Sequence, residues 1–189
     1  MKTNFVRRIL TPFLTSLALG LAPGMALPAA GQSPDSNTAL AHSTPAKLVQ
    51  IVREATREYI DVNNATAAGY GPFLGCVSGT DHGAMGVHYV NPTLVGDGLI
   101  DATHPEALIY EPSNGKMRLV GVEFIVDAAT WLKTHDAAPV LEGQTFLLVD
   151  SPNRYNLPAF FELHVWAWRD NPQGAFVDWN NRVTCEGQQ

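Results

Sequence analysis

The residues best suited to chemistry lie between Cys76 and Asn91. Asp81, His82, Met85 and His88 share this stretch with Gly79, Gly83 and Gly86. Imidazole, carboxylate and thioether groups bind transition metals, and the first two also move protons. His82 and His88 stand six residues apart with Met85 midway. Even spacing puts both histidines on one face of a continuous strand. The glycines favour instead a bent loop running into a strand, which can turn both imidazoles toward one point. The expected ligand set is His82, His88, Glu123 and His164, around iron, manganese, copper or zinc. The His-x-x-Met-x-x-His spacing would also suit copper, since a thioether is a soft ligand. Glu162 and Asp81 are the expected proton acceptors, and Asp81 could also fix the tautomer of a ligating imidazole.

Glu123, Glu162 and His164 come from two apolar segments. From Phe160 to Trp168, strand alternation puts Phe161, Leu163, Val165 and Ala167 on one face and Phe160, Glu162, His164, Trp166 and Trp168 on the other. A Glu and a His among aromatics describe a pocket wall, and Tyr89, Phe160, Trp166 and Trp168 are the expected ligand-binding residues. Glu123 stands alone among the apolar residues Val120 to Val126. A carboxylate in such a strand needs a partner. Glu111 should pair near Arg118, roughly 16 Å from Glu123 at about 3.3 Å per residue, too far to share one ion. His104 and His135 lie in loops and are expected at the surface. No Walker loop, dinucleotide fingerprint or haem-attachment motif occurs, and Ser78 lacks the surroundings of a nucleophile elbow.

The elements that must position these groups follow from periodicity. Lys47 to about Ala68 carries Leu48, Ile51, Val52, Ala55, Tyr59 and Val62 at helical spacing, which predicts one amphipathic helix ended by Gly69, with Val49 off the apolar face. From Tyr70 onward, Pro and Gly punctuate short, β-branched runs. Strands are expected over Met85–Val90, Ala107–Glu111, Leu119–Val126, Thr145–Val149 and Ala159–Arg169. Ser113-Asn114-Gly115 is a hairpin signal, and residues 127–135 suit a short helical turn. The predicted fold is α+β: an N-terminal helix packed on a twisted antiparallel β-sheet or partly closed β-barrel.

Lys2, Arg7 and Arg8, a short apolar run from Ile9 to Leu21 and the small residues after it form a signal peptide over residues 1–30. Residues 31–45 read as a flexible leader and 46–189 as a single β-rich domain. The Arg7-Arg8 pair hints at twin-arginine export beside the ordinary route. Losing Lys2, Arg7 and Arg8 leaves 9 of the 12 basic residues against 18 acidic ones, a net charge of −9. That balance argues against nucleic acid and anionic membranes as partners, and no membrane insertion is expected after signal cleavage. Cys76 and Cys185 are the only cysteines. In a periplasmic or secreted protein they should form a disulfide, with two thiolate metal ligands as the alternative.

Gly75-Cys76-Val77-Ser78-Gly79, the segment Asp81 to Tyr89, Pro105 to Pro112, Leu119 to Glu123, Glu162 to Trp166 and Asp178-Trp179-Asn180 together resemble a family of small secreted bacterial proteins whose activity is uncharacterised. The resemblance spans residues 46–186. A weaker likeness is to the cupins, metal-binding β-barrels with a three-His, one-Glu site, which His88, Glu123 and His164 on successive strands would suit. The cupin motif has its first two histidines one residue apart, however, and here they are six apart. The leading functional expectation is a secreted metal-binding protein, with a metalloenzyme acting on a small molecule as its catalytic form. The alternatives are a non-enzymatic small-ligand-binding module and a copper or zinc carrier.

Overall fold

The computed structural model describes residues 46–187. The expected signal peptide and most of the leader lie outside them. The centre of the fold is a curled six-stranded antiparallel sheet, a half-barrel, accompanied by a few helices. In chain order come α1 (Lys47–Ala55), a 3-10 turn (Arg57–Ile60), α2 (Val62–Ala67), β1 (Gly71–Ser78), β2 (Ala84–Val90) and α3 (Pro92–Asp97). Then follow β3 (Ala107–Ser113), β4 (Lys116–Asp127), α4 (Ala128–Trp131), β5 (Val140–Leu141), β6 (Gln144–Thr145), β7 (Leu147–Val149) and β8 (Phe160–Val165). The large sheet has the order β1-β2-β3-β4-β8-β7, and β5 and β6 form a small separate hairpin. Among the described residues no helix is long and apolar enough to cross a membrane.

The single helix expected over residues 47–68 is broken in two. The Thr56 hydroxyl donates to the Val52 carbonyl at 2.7 Å, and Asp61 caps a fresh helix by accepting from the Asn63 N–H at 2.9 Å. A side chain that competes for backbone groups ends one helix, and a capping carboxylate starts the next. Gly69, at φ 95°, ends α2 as expected. Val49 is buried with Leu48 and Val52, so the dry face of α1 is wider than its periodicity indicates.

β1 was not among the expected strands, because Gly71, Pro72 and Gly75 mark it as a loop. It lies at the sheet edge, where a proline costs no ladder bond. Its pairing with β2 is interrupted between Phe73 and Cys76, where Leu74 (φ 62°) and Gly75 (φ 72°) form a bulge. The β3–β4 hairpin turns on Asn114 and Gly115, both at positive φ, as a two-residue connection requires.

The sheet separates two environments. One face packs Leu108, Tyr110, Val122, Phe124, Leu163 and Val165 against α1 and α2 as the main core. The alternate residues of β2, β3, β4 and β8 point the other way, and among them are His88, Ile109, Glu123, Glu162 and His164.

Candidate metal centre and pocket

Strand register brings the polar groups together. Glu123 on β4 pairs directly with His164 on β8, and Ile125 pairs with Glu162. Side chains at paired positions stand about 5 Å apart at Cβ. His88 lies on β2, two strands from Glu123, a span of roughly 9–10 Å. The intervening strand β3 offers Ala107 opposite Glu123. A side chain that short lets the imidazole and the carboxylate meet over it. Nε2 of His88 lies 3.3 Å from Oε2 of Glu123. The His88 and His164 rings face each other edge-on at 5.8 Å.

The group is buried, and burial governs its protonation. Desolvation pushes the His88 imidazole down to about 4. His164 is driven well below the ordinary histidine range by burial and by its neighbour His88. Both rings are therefore neutral at pH 7, the form that ligates metals. Glu123 is raised well above the carboxylate range, first by burial and then by the Glu162 carboxyl against it. Burial also lifts Glu162, to about 7. Like carboxylates in an apolar site hold a proton between them. Such protons, and neutral imidazoles, are what an incoming cation replaces and uses.

His164 is only 1% exposed, and neither of its ring nitrogens has a hydrogen-bond partner. An unpaired buried polar group is costly, and an ion is one of the few things that accounts for it. His88, Glu123 and His164 each offer a ligand atom, all within 4.8 Å of one another. Two atoms bound to one ion at about 2.1 Å sit roughly 3.0–3.5 Å apart. The 3.3 Å approach of His88 to Glu123 already has that span. Glu162, His164 and Asp178 form a second, overlapping group, with Nδ1 of His164 3.8 Å from Oδ1 of Asp178. These buried His, Glu and Asp groups could hold a metal ion.

A cavity of about 790 Å³ opens above the group. His88, Glu123 and Glu162 line it at one end, and Met85, Ile125, Phe160, Phe73 and Leu74 contribute apolar wall. Tyr155 leans over it, its hydroxyl 3.5 Å from the sulfur of Met85. Burial and the nearby Glu162 raise that phenol to about 12, so it stays protonated and able to donate.

Not every expected site residue arrives here. His82 and Asp81 are exposed in the bend before β2, because the strand begins only at Ala84 and the glycines do not fold the bend inward. They are not part of the His/Glu group. Tyr89 alternates with His88 and so falls on the core face, against Tyr110. Trp166 lies behind His164, ring to ring at 6.2 Å, with its indole N–H donating to the Val177 carbonyl. Trp168 is on the core side, donating to Thr56 Oγ1 at 3.0 Å. Pairing of β8 ends at Val165, so alternation no longer applies to either tryptophan. Of the four aromatics, Phe160 alone lines the cavity. Cys76 and Cys185 form a disulfide. Glu111 contacts Arg118 and accepts from the Thr184 N–H, a structural tie away from the site.

Asp178 and Tyr155 are the contributions that periodicity misses. Asp178 sits in a segment without regular structure. A two-way backbone bridge between Ala84 and Asn180 holds that segment, and a Cβ on Gly83 would lie 2.2 Å from the Asn180 carbonyl oxygen. The glycine of the histidine-rich stretch thus docks the Asp178 loop and does not bend a ligand inward. Compared with known proteins, the chain matches no family model, and no curated protein or solved structure shows significant similarity to it.

Proposed function

We propose that this is an exported metal-dependent protein that acts on a small molecule held in the cavity. The carrying observation is the fully buried, unpartnered His164 beside His88 and Glu123. Two imidazoles and a carboxylate suit zinc, iron, manganese or copper. Among these the donors favour zinc or iron, since Met85 spends its sulfur on Tyr155 and adds no evident soft ligand. The ion would supply Lewis-acid or redox chemistry at the cavity floor.

The chain's own groups have distinct tasks. His88, Glu123 and His164 would hold the ion. Asp178, near Nδ1 of His164, would orient that ring. Glu162 lines the cavity at the same end and is the proton acceptor, with an affinity near neutrality that suits the task. Tyr155 also lines the cavity, with its hydroxyl donated to the Met85 sulfur. Burial of the set speaks for a resident ion over a carrier's cargo, which must leave by the surface.

Elemental analysis of the mature protein, purified from its export compartment beside a His88→Ala/His164→Ala variant, tests the site. Near-stoichiometric metal, lost in the variant, is the expected result. A wild type that contains no metal and takes up none of zinc, iron, manganese or copper would sink the reading. The cavity would then favour the second reading, a non-enzymatic module for an apolar ligand.

A further inference from the structure

The cavity's edge carries an unusual feature. Leu74 is in the left-handed backbone region at φ 62°, and its side chain is 56% exposed. Neighbouring Phe73 is 40% exposed. A leucine gains nothing from left-handed backbone, and glycine or asparagine would serve the bulge better. An apolar side chain held outward in strained backbone is poorly explained by folding. Such strain collects where a ligand is gripped. Both residues line the cavity, so the apolar wall continues from its interior onto an exposed lip.

Charge narrows the occupant. Among the described residues, no Lys or Arg lines the cavity. Arg154 is not among the lining residues: its guanidinium lies over both the Tyr155 and Trp179 rings, at 5.8 and 5.6 Å, and donates to the Ser78 carbonyl. A carboxylate or phosphate would therefore enter apolar walls and meet Glu123, Glu162 and Asp127 with no lysine or arginine among the lining residues. On the metal reading, the ion offsets Glu123 and Glu162, and Asp127 is engaged with the Thr130 N–H at 2.7 Å, so a cationic head finds little attraction at the His88–Glu123–Glu162 end. We propose that the cavity takes a neutral, largely hydrocarbon or aromatic molecule with one oxygen head directed at the His88–Glu123–Glu162 end, gripped at the mouth by Phe73 and Leu74. This deepens the proposed function and rests on it for the exclusion of cations.

The test is displacement of the neutral dye Nile red from the mature protein by decanol, decanoate and decylamine. Decanol should displace the dye, and decanoate should be weaker by on the order of tenfold or more. Leu74→Asn keeps a residue that accepts left-handed backbone. It should leave the melting temperature and metal content unchanged and weaken the dye by on the order of tenfold, the worth of one partly buried leucine. Ile125→Trp should narrow the cavity beside Glu162 and weaken the dye. Decanoate displacing as well as decanol, or dye affinity untouched by Leu74→Asn, overturns the proposal. Decylamine displacing best also overturns it, and points to glutamates with no ion beside them. Metal content measured on the same samples separates the two failures: metal without displacement refutes the ligand alone, and displacement without metal refutes the metal alone.

Discussion

Glu106 shows how much of this molecule's pH response can come from one residue outside the site. It is buried, and its carboxylate accepts the Ile125 N–H at 2.9 Å, in place of a ladder bond beyond the end of β3. Burial raises it to about 8 from an ordinary 4.5. Between those values the folded protein binds a proton that the unfolded chain releases. The contribution of Glu106 to stability is therefore greatest in acid and falls as pH rises through that window. Glu106→Gln keeps an acceptor for Ile125 and removes the titration. Its melting temperature, followed from pH 5 to 8, should lose the part of the wild-type decline that Glu106 causes. A variant with an undiminished decline would show that another group carries it. At the same scale, Glu123 is legible in the sequence as a lone acid among apolar residues. Its partner is not, because His88 is reached only across β3.

At the scale of elements, the histidine-rich stretch is two structures in sequence. An exposed bend holds Asp81 and His82, and β2 holds Met85 and His88. Gly83 joins them, at φ 79° and against the Asn180 backbone. Gly83→Ala should cost roughly 2 kcal/mol or more by urea unfolding, since both the backbone angle and the lost space oppose it. It should also lower metal content, because the displaced loop carries Asp178. Unchanged stability would mean that the loop docks by some other contact. The strands over residues 85–90, 107–111 and 119–126 were legible because alternation and β-branching are strong there. The break in the N-terminal helix was not, since Thr56 and Asp61 act through particular hydrogen bonds that periodicity does not register.

The whole molecule is closed by one covalent tie. Cys76 and Cys185 are 109 residues apart and join edge strand β1 to the C-terminal segment. A loop of that length is worth about 4 kcal/mol or somewhat more in the chain-entropy model. Cys76→Ser/Cys185→Ser should lower urea stability by that order, and dye binding should weaken with it because β1 forms the cavity lip. Loss of stability with full dye binding would free the lip from any dependence on the tie. By itself the sequence determined the α+β class, the hairpin at Asn114-Gly115, the pairing of its only two cysteines and the shared face of Glu162 and His164. Each of these depends on near neighbours in the chain or on a choice with no competitor. Only the tertiary structure decided that His82 stays outside and Asp178 comes near, that Trp166 packs behind His164 and Trp168 against the main core, and that Leu74 stands at the cavity mouth. Those outcomes depend on where strand pairing stops and which distant backbone a glycine admits, and alternation along one strand carries no information about either.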